Sequence, residues 1–322
     1  MKNTILQEPI GWLTTFKIEV ASSVPYLYNN GRQQVAVLLT VEPAEGKEVT
    51  PEQFDTLTVV EYTDDGNFIE LPNAPREGGW WTSSTKNKFD YFSEAVTKNN
   101  AFKTKGASRK YFYIMTDSTS GTLKRLRVRI NETPELVYHS VESPIGQIEL
   151  TSISARRFSS PEDYNFERVT LEGDQATGNV VYEYRLTPKG LRFVNDNTAR
   201  AVARMDPNGM IKWADMTPSE TYGSHISNAG IDLADVLFNP IILDKLPADF
   251  KNERMYTKVN HSIEGAFVII LQGDRAIPYV SEIAIGQRGP CKLIAYDNQG
   301  TEHVLSVSFP SAPSERFELV LT

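Results

Sequence analysis

"QQVAVLLTVE", residues 33–42, places Val35, Val37, Leu39 and Val41 on every second position. Successive side chains of a β-strand point to opposite faces, so this spacing indicates a strand with one face on a core. The same period recurs far away in the chain, and two continuous apolar runs indicate central strands that are covered on both faces. The alternating segments are "NVVYEYRL" (179–186) and "HVLSVSF" (303–309), and the continuous runs are "YFYIM" (111–115) and "AFVIIL" (266–271).

Turn and helix signals agree with a β-rich chain. "TDDGN" (63–67) and "DNQG" (297–300) each lie between two strand-like segments, and Asn and Gly accept the positive φ of tight turns. Thr50 and Gln53 form a capping-box pattern around Pro51, which predicts a helix of one or two turns. Strands throughout, with a few short helices in connections, predict an all-β fold of antiparallel β-sandwich domains.

Length and composition predict two such domains. The chain has 322 residues, and a domain usually takes roughly 100–200. The polar, Pro/Gly-marked segment 140–147 is the predicted boundary, which gives a β-sandwich domain over 1–142, to which the family resemblance described below applies, and a second β-rich sandwich over 143–322. The first domain carries a long insertion, 73–106, with few strand signals.

Composition and missing motifs exclude several classes of function. The net charge of −8 argues against general nucleic-acid binding, which requires positive charge against phosphates. The chain has a single cysteine, Cys291, and four histidines that form no paired motif, so we predict no metal site. It also lacks nucleophile and phosphate-loop motifs, so we predict no cofactor and no enzymatic activity. No window approaches the ~18 apolar residues of a membrane span, and Glu8 and Pro9 interrupt any signal peptide. The location is left open between the cytoplasm and export without a cleavable leader.

Residues 24–62 resemble the opening of a bacterial immunoglobulin-like module of the invasin and intimin type. The elements that carry the resemblance are the turn Asn30-Gly31, the alternating strand Val35 to Val41, and Glu42 followed by the Gly46 loop. The resemblance implies a sandwich fold and an adhesive, spacer or recognition role, and it implies no catalytic residues. It does not extend into the long 73–106 connection.

"TLKRLRVRI", residues 122–130, is the first candidate binding site. Arg125, Arg127 and Arg129 fall on one face of the predicted strand, about 6.6 Å apart in succession. Such a row can hold a sulfated glycan, a phosphate-rich surface or an acidic partner. The alternative is a solvent-exposed sheet face whose arginines pair with glutamates of the next strand, such as Glu61 or Glu70.

Trp80 and Trp81, in the long connection, are the second candidate site. An exposed tryptophan in a loop can stack on a sugar ring or anchor a protein interface. The alternative is a pair that covers the edge of a core, with one ring inside and one outside.

The sequence therefore predicts a non-enzymatic binding protein of bacterial or phage origin. We expect it to resemble an adhesin, a lectin or a toxin component and to bind a protein or glycan surface. Its oligomeric state is left open. Two alternatives remain: a structural subunit of a larger assembly, and a carbohydrate-active hydrolase that uses paired carboxylates.

Overall fold

A computed structural model shows that the chain forms two compact units. Residues 1–156 with 299–301 make the first unit, and residues 157–298 with 302–322 make the second. The structure describes residues 11–22, 24–92, 107–140, 145–176, 178, 180–195, 200–203, 212–216, 220–231, 235–237, 256–258, 264–278, 289–312 and 315–322.

The first unit is a β-sandwich. One sheet has the order β1-β3-β7-β6, and the other has the order β2-β10-β8-β4-β5, with β9 also paired to β8. Every pairing is antiparallel except that of β2 with β10. The elements are β1 (Leu13–Val20), β2 (Tyr26–Tyr28), β3 (Val35–Pro43), α1 (Pro51–Asp55), β4 (Thr58–Tyr62), β5 (Phe68–Glu70), β6 (Trp80–Ser83), β7 (Ser108–Thr116), β8 (Leu123–Asn131), β9 (Val137–His139) and β10 (Gln147–Ile153).

The alternating residues of β3 and β8 meet in the core of this sandwich. Val37 and Leu39 of one sheet and Leu126 and Val128 of the other belong to one buried cluster. Since the strand period is two, burying Leu126 and Val128 turns the arginines of β8 to the outer face of their sheet. The predicted all-β sandwich is confirmed.

Local signals in the first unit act as the sequence predicts. Gly66 has a φ of +81° in the turn between β4 and β5. The Thr50 hydroxyl accepts the Gln53 N–H at 3.3 Å, and the Gln53 side chain accepts the Thr50 N–H at 2.9 Å. This capping box starts α1, and the helix ends where β4 begins.

The second unit also packs two sheets around a core. Their orders are β11-β12-β18-β15-β14 and β13-β19-β20-β21, and β16 pairs with β17 separately. The elements are a 3-10 helix (Pro161–Asp163), β11 (Tyr164–Gly173), β12 (Val180–Pro188), β13 (Arg200–Ala203), β14 (Lys212–Met216), β15 (Glu220–Ile231), β16 (Asp235–Leu237), β17 (Tyr256–Lys258), β18 (Phe267–Pro278), β19 (Cys291–Tyr296), β20 (Glu302–Ser308) and β21 (Val320–Leu321).

The two continuous apolar runs behave differently. In β18, Phe267 and Ile269 face the main core, while Val268 and Ile270 form a second buried cluster on the other face. This central strand is therefore covered on both faces, as predicted. In β7 the coverage is incomplete, because Tyr111 is 49% exposed.

The division between the units falls later than the predicted boundary at 140–147. β10 pairs with β2 and β8, so residues 147–153 complete a sheet of the first unit, which extends to Arg156. The predicted 73–106 insertion contains β6, which pairs with β7 as part of a sheet. Residues 93–106 of that segment lie outside the described residues.

Candidate functional site

The outer face of β8 carries the three predicted arginines, and Arg125 and Arg129 contact exposed carboxylates there. Arg125 contacts Asp64 (Nη1 to Oδ1, 2.7 Å) and Glu149 (Nε to Oε1, 3.2 Å). Arg129 contacts Glu70 (Nη1 to Oε2, 3.0 Å). The predicted pairing of arginines with carboxylates is thus observed for Glu70, whereas Glu61 pairs with Lys124.

Arg127, between these two, is buried rather than exposed. Only 6% of the residue is accessible, and its Nε donates to Gln147 Oε1 at 2.9 Å. The guanidinium lies over the ring of Tyr62, 3.8 Å from the ring centre. Arg127 therefore contributes a cation–π contact and a hydrogen bond to the sheet, and it is not presented to a large partner.

The charges on this face largely balance within the protein. The negative charges of Asp64, Glu149 and Glu70 offset the positive charges of the arginines they contact. A polyanion would have to displace these internal partners, and it would be repelled by the released carboxylates. The face is better suited to a ligand with no net charge than to a sulfated or phosphorylated surface.

Trp80 and Trp81 are both buried, with 4% of each residue exposed. They lie in β6, and Trp80 belongs to the core between the sheets. Because neighbouring residues of a strand face opposite sides, Trp81 lies on the other face, where it packs close to Gly31. The expectation of an exposed loop anchor is wrong for both side chains, because this part of the connection is paired as a strand.

A cleft of about 630 Å³ opens beside the Arg129–Glu70 pair; we call it the threonine cleft. It brings together residues from α1, β4, β5, β6, β7 and β8 that are distant in the sequence. Its polar lining consists of Asp55, Thr56, Thr58, Glu70, Asn73, Thr82, Lys110, Arg129 and Asn131, and its apolar lining of Leu57, Leu71, Pro72 and Phe112. No local motif in the sequence marks these residues as neighbours.

A second cleft of about 400 Å³, the histidine cleft, shares Arg129 and Glu70 with the first. It is also lined by Phe68 and His139, whose rings stack with centres 3.8 Å apart. Burial and the nearby guanidinium groups of Arg129 and Arg127 lower the pKa of His139 to about 4. His139 is therefore neutral at neutral pH. Its buried Nδ1 has no hydrogen-bond partner among the described residues.

The second unit contains a buried polar chain that no sequence pattern indicated. His303 Nε2 lies 3.0 Å from Asp297 Oδ2, and His303 Nδ1 lies 2.8 Å from the hydroxyl of Tyr164. All three residues are at most 5% exposed. These contacts link β11 to the β19–β20 hairpin.

The described ranges contain neither a cluster of metal-ligating side chains nor a membrane-spanning helix. Across that part of the chain, no group of three or more His, Cys, Asp or Glu side chains is placed to hold a metal ion. Among the described residues, no helix has the length and apolar character to cross a membrane.

Comparisons with known proteins assign no family. The sequence matches no family model and no curated protein. Among solved structures, it is similar to the crystal structure of a putative membrane anchored protein from Corynebacterium diphtheriae, with 11% sequence identity and a TM-score of 0.18. The alignment covers 90% of this chain and 56% of that one. At that TM-score the likeness supports no conclusion about fold or function.

Proposed function

We propose that this protein is a non-enzymatic recognition protein whose ligand site is the pair of clefts on either side of Arg129 and Glu70. The observation that carries the proposal is the shared ion pair. One charged pair lines both the threonine cleft and the histidine cleft on an accessible sheet face. Concave sites of several hundred cubic ångströms are typical of ligand binding.

The carboxylates of the threonine cleft favour binding over hydrolysis. Glycoside hydrolysis by two carboxylates needs one of them protonated, which an apolar surrounding achieves. Glu70 is exposed and contacts Arg129, and Asp55 is exposed at the end of α1. Neither side chain occupies the apolar environment of a general acid, so we expect no turnover of glycoside substrates.

A structural role in an assembly is the second candidate, and the edge strand β11 supports it. β11 has ten residues, and within the described part of the chain it pairs only with β12. An open edge of that length can pair with a strand of another subunit. Against this role, β11 has an irregular register between Thr170 and Glu172, and Glu167 and Arg168 are exposed along it. Bulges and charges of this kind oppose strand addition.

The recognition role agrees with the resemblance of residues 24–62 to invasin- and intimin-type modules, which stays a prediction. Adhesin, lectin and toxin-component roles are three forms that the proposed recognition function can take. The bacterial or phage origin is likewise a prediction.

The test uses a labelled full-length chain on arrays of neutral, sialylated and sulfated oligosaccharides and of peptides. Arg129→Gln removes the cation shared by both clefts, and we expect it to weaken binding about tenfold, since hydrogen bonds to charged groups are the stronger ones. Arg125→Gln is the matched control, because Arg125 lies on the same face and lines neither cleft. Equal binding by the parent and both variants would place the ligand site elsewhere and refute the proposal.

A further inference from the structure

Two hydroxyls of the threonine cleft are only weakly engaged by the protein. Thr58 Oγ1 lies 3.5 Å from Glu70 Oε1, and Thr82 Oγ1 lies 3.4 Å from the Pro72 carbonyl oxygen. Hydroxyl hydrogen bonds are usually about 2.7–2.8 Å long, so both contacts are weak. Both residues line the cleft, Thr82 with only 4% of the residue exposed. A ligand in the cleft can therefore hydrogen-bond to either hydroxyl without breaking a strong internal bond.

Thr56 shows the contrast within the same cleft. Its hydroxyl donates to the Gln53 carbonyl oxygen at 2.6 Å and accepts the backbone N–H of Asn131 at 2.9 Å. Thr56 is therefore a structural residue at the end of α1. The Asn131 carboxamide differs, because its Oδ1 is buried without a partner among the described residues. A ligand hydroxyl that reached this atom would satisfy an unpaired acceptor.

The cations of the cleft are held in place by the protein. Lys110 Nζ donates to the carbonyl oxygens of Leu57 at 3.1 Å and Asp55 at 3.4 Å, and it lies 5.3 Å from the centre of the Phe112 ring. Arg129 is held by Glu70. Fixed donors of this kind recognise a ligand at a lower entropic cost than mobile ones.

The formal charges of the lining cancel. Lys110 and Arg129 are offset by Asp55 and Glu70. An anionic ligand would meet two carboxylates, a cationic ligand would meet two cations, and an apolar ligand would leave the polar groups unpaired. A ligand that both donates and accepts hydrogen bonds and carries no charge matches this lining best.

We propose that the threonine cleft binds one uncharged sugar unit of a glycan, with Thr58 and Thr82 contacting its hydroxyls and Phe112 contributing the apolar wall. This inference rests on the recognition function proposed above and names its ligand class. A cleft of about 630 Å³ lies within the range of about 300–1,000 Å³ that small ligands occupy.

The experiment compares the full-length chain with the double variant Thr58→Val/Thr82→Val. Valine keeps the branched shape of threonine and its preference for strands, and it replaces the hydroxyl with a methyl group. Thr151→Val is the matched control, since Thr151 lies in β10 of the same unit and lines neither cleft. Circular dichroism and thermal melting establish that each variant is folded before its binding is measured.

We expect the parent chain and Thr151→Val to bind the same neutral oligosaccharides of an array. Titration with the selected oligosaccharide should give an affinity about five- to 150-fold lower for the double variant, as expected for two lost neutral hydrogen bonds. Binding only to sulfated or sialylated members, binding of neutral members that the double variant retains, or no binding to any glycan would overturn the inference. If Arg129→Gln weakens binding of a peptide probe while no glycan binds, the recognition function stands and the sugar ligand does not.

Discussion

Acidification from pH 7.5 to 5.0 should destabilise the first unit through His139. The imidazole has a pKa of about 4 in the folded protein, against 6.5 for the unperturbed group. Because the pKa is lower in the folded protein, the unfolded chain takes up the proton at a higher pH. The stabilisation that neutral His139 gives the folded protein is therefore complete above pH 6.5 and is lost as the pH falls toward 4. The groups around the ring are Phe68, Arg127, Arg129 and Glu70, and the two cations oppose its protonation.

The expected loss follows from the free-energy value of a pKa difference. At pH 5 the unfolded histidine is mostly protonated and the folded one is neutral. Between pH 6.5 and pH 5 the free energy of unfolding therefore falls by about 2 kcal/mol, at about 1.4 kcal/mol per pH unit. Because the ring is only partly buried, solvent screening reduces this to about 1 kcal/mol.

The assay is urea unfolding followed by tryptophan fluorescence at both pH values. Trp12, Trp80 and Trp81 lie in the first unit, so the signal reports mainly on that unit. The comparison protein is His139→Phe, which keeps a ring against Phe68 and has no group that titrates. Every other titratable group is common to both proteins, so the difference between their pH dependences isolates His139. Equal losses of stability in the parent and the variant would refute the assignment of a neutral, acid-sensitive His139.

Three further predictions test the packing. Trp80→Ala and Trp81→Ala should each lower the free energy of unfolding by about 3–5 kcal/mol, since both side chains are buried; an unchanged urea midpoint for Trp81→Ala would restore the exposed-anchor interpretation. Tyr164→Phe should cost about 1–3 kcal/mol in calorimetry, because it leaves a buried ring nitrogen without the hydroxyl it contacts; no change would mean that the contact contributes nothing. Arg127→Ala should lower the melting temperature more than Arg125→Ala, since only Arg127 is buried against Tyr62; equal effects would contradict this.

Part of the candidate site could be predicted from the sequence. The alternation in β8 placed Arg125 and Arg129 on one face, because the strand period depends only on the backbone. Partners on neighbouring strands depend on register, which tertiary packing selects, so Glu149 as a partner of Arg125 did not follow from the sequence. Burial of Trp81 depends in the same way on the pairing of β6 with β7.

The sequence by itself determined the all-β class, the turn at Gly66 and the capping box of Thr50, because each arises from residues close together along the chain. Only the tertiary structure decided which side chains form the threonine cleft. Thr58, Thr82, Lys110 and Arg129 come from four different strands, and each has an ordinary local environment in the sequence. Their meeting depends on strand order and register, which are set by the burial of the core between the two sheets rather than by local preference.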